Sequence, residues 1–324
     1  MQELRCCSPR PVLVAGAPRS GTTWIGTVLS LADGACGVHE PDNPAHDPFA
    51  LRASLGLGRF PLLDKGDIAP AEYEDLWARA LAGLGHRHTT RWLAAKTLLR
   101  HTPCPELRAA FDGGTPVVST RIAAVRRVAT PRSEPAPGPR PIVKSVHCTL
   151  ALPWLAERFS PQTVLVLRHP LNVVASYLEL GWADAGLHTR AAELGDALRV
   201  PVPALPDGAP PVARIAWQTA LFASVLTDLA DRHPGWRLVT HEELCREPAE
   251  RFRRLYAQLG LGWTAAAEEF LDRSNRPGTG IRTNRVTRTQ PGRWRHRLTY
   301  AQVEEVRRVL DLFPEMWEAE ELIA

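Results

Sequence analysis

The first clear pattern in the chain is a short apolar run, residues 11–15 (PVLVA), that stops at Gly16; apolar positions at helical spacing resume after Gly21. That change of period predicts a strand, a glycine-bounded loop and a helix over about 22–31. Further apolar runs predict strands at 92–95, 141–146, 163–167 and 237–239. Helical periods fall between them at 72–84, 149–159, 171–180, 212–232 and 248–259, with a last helix at about 300–312. Brief apolar strands alternating with helices predict an α/β fold with a central parallel sheet flanked by helices on both faces. Residues 34–70, 129–141 and 181–211 carry no sustained period and read as loops, the second holding five prolines. No internal repeat is present. We therefore expect one domain over residues 1–324 with elaborated loops at about 34–70, 97–140 and 181–211.

Composition narrows the class. With 324 residues, 44% hydrophobic and 23% charged, the chain has the makeup of a globular protein. No apolar run approaches the roughly 18 residues of a membrane span. The N-terminus lacks the apolar core of a secretory leader. Six cysteines (Cys6, Cys7, Cys36, Cys104, Cys148, Cys245) include no C-x-x-C pair, which speaks against a zinc ribbon or disulfide framework and fits a reducing cytoplasm. A net charge of +4 is too small to argue for nucleic acid. The cations are almost all arginine: 36 Arg against Lys65, Lys96 and Lys144. Eight arginines crowd the acid-free stretch 273–297, a pattern that fits an anion site as well as a solvated basic tail.

The loop after the first strand carries the strongest chemistry: GAPRSGTTW from Gly16 to Trp24. Glycines let successive backbone N–H groups converge on an oxyanion, and the helix that follows adds unpaired donors with the positive end of its dipole. The hydroxyls of Ser20, Thr22 and Thr23 add donors, and Arg19 adds a cation. The frame is that of a P-loop, G-x-x-x-x-G-K-S/T, with Thr22 where the lysine that reaches the β- and γ-phosphates would stand. Such a loop holds phosphate but is poorly built for γ-phosphoryl transfer.

This loop resembles the 5′-phosphosulfate loop of sulfotransferases that use 3′-phosphoadenosine 5′-phosphosulfate (PAPS). Three further segments are similar to the same family in the same order. In VLVLRHPLNVVASY, Arg168 and Ser176 stand eight residues apart, as do the family's strand-end Arg and helix Ser that hold the 3′-phosphate. In RTQPGRWRHRLT, Arg288, Gly292 and Arg293 match the Arg-rich segment that closes over that phosphate, with Arg285 and Arg295 as further candidates; Thr289 replaces a glycine of the best-known version. In THEELCREP, His241 takes the place of a tyrosine near the adenine. Trp24 is the other candidate for stacking on the base. The resemblance implies a P-loop-like sulfotransferase fold and PAPS as co-substrate. It also implies 3′,5′-adenosine bisphosphate as product, no metal, and in-line transfer to a hydroxyl.

Sulfuryl transfer, like phosphoryl transfer, leaves the protein mainly positioning and fixed positive charge to supply. Arg19 and Lys144, the latter in KSVH at a strand end, are the expected cations on the departing phosphate. Two residues qualify as general base for the acceptor hydroxyl. His147 stands 21 residues before Arg168, close to where cytosolic-type enzymes of the family carry a histidine. Glu40, in VHEPDN, follows the loop as a catalytic glutamate does in tyrosylprotein-type and several bacterial members, and the form of the loop favours it. His86 and His88 flank Arg87 in a polar turn and read as solvated rather than as metal ligands. Phe49, Phe60, Leu178, Trp182 and Leu187 in the loops favour a small hydroxylated acceptor, such as a natural product or glycoside of secondary metabolism, over a peptide tyrosine. Oligomeric state is unreadable. Two other readings stand beside this one: a P-loop nucleotide kinase or NTPase, and a non-catalytic adenine-nucleotide-binding module.

Overall fold

The computed structural model describes residues 9–44, 47–84, 138–276 and 286–313. The strand expected at 92–95, the turn with His86 and His88, Arg285 and most of the proline-rich segment lie outside the described residues. Five strands form one parallel sheet in the order β2-β3-β1-β4-β5: β1 Val12–Gly16, β2 Ala35–His39, β3 Arg140–Ser145, β4 Gln162–Leu167 and β5 Arg237–Thr240. The backbone register pairs Ala35 with Arg140 through His39 with Lys144, and Val164 with Arg237 through Leu167 with Thr240. The inner strands are near-continuous apolar runs because helices cover both faces of such a sheet.

Helices follow in chain order: α1 Thr22–Leu29, α2 Pro48–Ala53, α3 Ala71–Leu81, α4 Leu152–Phe159, α5 Pro170–Glu179, α6 Ala191–Leu198, α7 Pro211–Arg232, α8 His241–Arg246, α9 Pro248–Leu259, α10 Ala265–Ser274 and α11 Tyr300–Leu310. Three stretches depart from the expectation. Residues 34–70 contain β2 and α2, and 181–211 contain α6. β2 (ACGVH) has no apolar run of its own; it is a strand because its backbone pairs with β3 along five residues. α2 is only six residues long and is set by its cap, in which Asp47 accepts from the Phe49 N–H. The helix expected from 149 begins instead as a 3-10 turn, Cys148–Ala151, before α4.

The described residues fall into two compact units, one drawn from within Met1–Val14 and Leu29–Thr163, the other from within Ala15–Val28 and Val164–Ala324. In the first, Tyr73, Leu76 and Trp77 of α3 are buried, and the Tyr73 ring meets Trp154 of α4 at 5.6 Å. The Trp154 indole N–H donates to the Asp67 carbonyl. In the second, α1 ends on a buried partner: the Tyr256 hydroxyl of α9 donates to the Val28 carbonyl, one of the terminal acceptors a helix cannot satisfy itself. β5 passes directly into α8 through a capping box between Thr240 and Glu243. Glu40, His147 and Arg168 follow the carboxyl ends of their strands and Lys144 is the penultimate residue of β3, at the strand ends where ligands of open α/β sheets bind.

Candidate active site

In the second unit the phosphate loop is fixed by close backbone approach. A Cβ on Gly16 would lie 2.6 Å from the Val166 carbonyl oxygen of β4, so only glycine lets β1 end there. Arg19 and Gly21 both have positive φ, 71° and 95°. At Gly21 a Cβ would also fall 2.2 Å from the His241 ring. Thr22 starts α1 and is buried, as is Ser20; the Ser20 hydroxyl has no hydrogen-bond partner among the described residues. An unsatisfied buried donor beside a helix start is a demand for an acceptor. Thr23 is exposed.

Arg168 follows β4 and is joined to this loop: its Nη1 donates to the Arg19 carbonyl at 2.8 Å. The Arg19 Nε in turn donates to Ser176 Oγ on α5 at 2.9 Å, and its guanidinium lies 5.3 Å from the Trp182 ring centroid. Arg19, Arg168 and Ser176, separated by up to 157 residues in sequence, are thus assembled into one constellation. Glu242 of α8 faces Arg168, with 4.0 Å between Oε1 and Nε, and burial pushes its carboxyl up against the opposing pull of that guanidinium. Trp24 does not lie against a flat partner. Its ring meets His241 and Phe252 edge-on at 5.7 and 5.0 Å. Arg288 is exposed, Arg293 half-buried, and Arg295 folds back over the Trp294 ring at 4.6 Å.

The first unit holds the other candidates. Glu40 comes directly after β2 with φ 44°, a conformation that costs a non-glycine residue energy and that its surroundings enforce. Its N–H donates to the Lys144 carbonyl, its carboxylate forms a buried ion pair with the Lys144 ammonium, and Asn43 donates to its second oxygen. Burial works to raise the Glu40 carboxyl, but Lys144 and Asn43 together hold it well below its ordinary value. His147 is buried with its ring edge on Phe60 at 5.5 Å and Nδ1 at 3.5 Å from the Asp42 carbonyl oxygen. Burial first, then the Arg59 charge, drives its pKa down to about 4, so it is neutral at pH 7.

Sequence reasoning missed what joins these residues. The Ser145 hydroxyl lies 2.7 Å from each Asp42 carboxylate oxygen, while its own oxygen accepts from the His147 and Cys148 N–H groups. Asp42 and Ser145 lie 103 positions apart, and only the pairing of β2 with β3 brings them together. Burial, the largest influence, raises the Asp42 carboxyl from 3.8 to about 7. The folded state therefore holds a proton there that the unfolded chain has released, and stability falls by up to about 1.4 kcal/mol per pH unit between pH 4 and 7. Asp42→Asn keeps an acceptor for Ser145 and removes that proton. Denaturant melts at pH 5 and pH 8 are expected to show wild type losing stability relative to the variant at pH 8; equal losses in both proteins would refute the shift. Phe49, Phe60 and Leu187, expected along an acceptor pocket, are buried in their units, whereas Trp182 is 45% exposed.

The sulfotransferase family model matches residues 11–265, which takes in the phosphate loop, Glu40, Lys144, Arg168, Ser176 and His241. The chain belongs to the sulfotransferase family. No curated protein sequence matches this sulfotransferase-family chain. Among solved structures it is similar to the sulfotransferase domain from the curacin biosynthetic pathway, with 12% identity over 94% of this chain and 97% of that one and a TM-score of 0.45. It is similar also to the sulfotransferase domain from the Synechococcus PCC 7002 olefin synthase (16% identity, 97% and 98% covered, TM-score 0.40). A third is mouse SULT7A1 complexed with PAP (12% identity, 98% and 87% covered, TM-score 0.42). No described helix is long and apolar enough to cross a membrane.

Proposed function

We propose that this sulfotransferase moves the sulfuryl group of PAPS to a hydroxyl of a small acceptor. The observation that carries the reading is the union of the phosphate loop with Arg168 and Ser176 through the Arg19 backbone and side chain. A nucleotide with phosphate at both the 5′ and 3′ positions needs two neighbouring anion sites, and nothing in an NTP demands the second. The loop fits a phosphosulfate: glycines at Gly16 and Gly21, a buried Ser20 hydroxyl wanting a partner, and the start of α1. PAPS would supply the activated sulfuryl group. Thr22, Thr23 and Ser20 bind its 5′ end, Arg168, Ser176, Arg288 and Arg293 its 3′-phosphate, and His241 and Trp24 border the base.

Arg19 and Lys144 counter the charge on the departing phosphate. Glu40 takes the acceptor proton as the acceptor oxygen bonds to sulfur and the bond from sulfur to the phosphate oxygen breaks. Its ionised state leaves it open to accept a proton, although the Lys144 pair that keeps it ionised also lowers its strength as a base, and its enforced φ is of the kind found at functional positions. His147, neutral and buried, contacts acceptor or sulfate. Small hydroxylated natural products and glycosides are the acceptor class we favour, with the chain acting in the cytoplasm.

Calorimetric titration tests the donor. The expected result is that 3′,5′-adenosine bisphosphate binds at least about tenfold more tightly than 5′-AMP or ATP, the gain from one charge-assisted hydrogen bond. Equal affinities, or a preference for ATP, would refute it. Transfer of radiolabelled sulfate from PAPS to a panel of hydroxylated acceptors then reads activity.

A further inference from the structure

The Arg-rich segment carries no acid of its own; its 3-10 turns at Thr287–Thr289 and Arg293–His296 shape it locally, and contacts from α5 fix it to the fold. One side chain does most of this. Asn172, in the first turn of α5 and 3% exposed, has its amide fully used. Its Nδ2 donates to the Pro291 carbonyl at 2.7 Å and to Glu242 Oε1 at 3.2 Å, and its Oδ1 accepts from the Trp294 N–H at 3.2 Å. The bonds to Pro291 and Trp294 bracket Gly292 and Arg293. The third bond ends on the carboxylate that faces Arg168. α5 grips the same segment at two other points. His169, its cap, stacks on Trp294 with ring centroids 5.8 Å apart, and Glu179 at its far end pairs with Arg297 at 2.6 Å. Those two contacts hold the flanks; Asn172 ties the Pro291 carbonyl and the Trp294 N–H to α5, while within the segment the Arg293 N–H donates to the Gln290 carbonyl and the Arg295 N–H to the Gly292 carbonyl.

We propose that Asn172 is a positioning residue that presents Arg293, and through Glu242 orients Arg168, for the 3′-phosphate of the donor. The proposal rests on the nucleotide reading above. Without the clamp, Gly292 leaves the segment free to sample many backbone conformations, and binding must order it at an entropic cost that falls on the 3′-phosphate alone. A merely structural role for Asn172 would weaken all nucleotides alike.

The readout is therefore a ratio: the affinity for 3′,5′-adenosine bisphosphate divided by that for 5′-AMP, titrated into wild type, Asn172→Ala, Arg293→Ala and the double variant. Asn172→Ala is expected to cut the ratio by about tenfold, the equivalent of one hydrogen bond to a charged group, and to leave 5′-AMP affinity within about twofold. In the Arg293→Ala background the same substitution is expected to add much less than it does alone, since residues acting as one unit are not additive. If Asn172→Ala does not fold, Asn172→Asp takes its place. It still accepts from the Trp294 N–H but offers Pro291 no donor and sets a carboxylate against Glu242, so the same loss is expected. A ratio unchanged in the folded variant, or fully multiplicative losses in the double variant, overturns the proposal. A wild type with no preference for the bisphosphate overturns the nucleotide reading and this proposal with it, so the two failures are told apart by the wild-type titration.

Discussion

Glu40→Gln is expected to lower turnover by about 10²–10⁴-fold, the range that a positioned general base contributes, while changing the affinity for 3′,5′-adenosine bisphosphate little. Glutamine keeps the size of the side chain but has a single acceptor oxygen, so it can keep the bond from Lys144 or the one from Asn43 and not both; the Glu40 N–H bond to the Lys144 carbonyl and the β2–β3 pairing involve backbone only and persist. What it removes is the carboxylate. The loss of one partner from a buried ion pair leaves the Lys144 charge without its counter-ion, and some destabilisation accompanies the kinetic effect. The comparison is His147→Ala, expected to cost much less in turnover and to appear mainly in the acceptor KM. Sulfate transfer measured at saturating PAPS separates the two. Near-full turnover in Glu40→Gln with a collapse in His147→Ala would reverse the assignment, and full turnover in both would remove general-base catalysis by either residue.

How much of this was legible in the sequence depends on how far apart the partners lie. The β1–loop–α1 unit could be read because its chemistry is local: an apolar run, two glycines and three hydroxyls within fourteen residues of one another. β2 was invisible since Ala35, Cys36 and Gly37 have little strand preference, and the strand exists through backbone pairing with a segment more than a hundred residues away. α8 advertised itself as Thr240 followed three residues later by Glu243, but six residues are too few to show a period. Glu40, Lys144 and His147 came from spacing relative to family motifs; that Glu40 and Lys144 form an ion pair was not written in either neighbourhood. The residues that organise the candidate site, Asp42 with Ser145 and Asn172 with Glu242, are ordinary polar residues in sequence. They acquire meaning only when burial removes water and each must find its partner within the fold. Phe49 and Phe60 sit in segments read as loops yet are buried, because Phe49 lies in α2 and Phe60 packs on the His147 ring.

Arg168→Ala is expected to weaken 3′,5′-adenosine bisphosphate binding by about 10²–10³-fold, which corresponds to about 3–4 kcal/mol for the loss of charge-assisted, fork-like bonds to a phosphate. The geometry assigns the side chain two tasks, and they separate by ligand. One N–H group already donates to the Arg19 carbonyl and so shapes the phosphate loop. That share of the effect falls on every nucleotide with a 5′-phosphate, and 5′-AMP is expected to lose no more than about tenfold, the worth of a single such bond. The rest of the fork faces Glu242 across 4.0 Å and, on the proposed reading, serves the 3′-phosphate alone. Arg168→Lys retains the charge without the planar fork and is expected to fall between wild type and alanine for the bisphosphate. Equal losses for both nucleotides would reduce Arg168 to a strut of the loop and leave the 3′-phosphate without its main partner. A larger loss for the bisphosphate would make the strand-end arginine the residue that distinguishes this nucleotide from other adenosine phosphates.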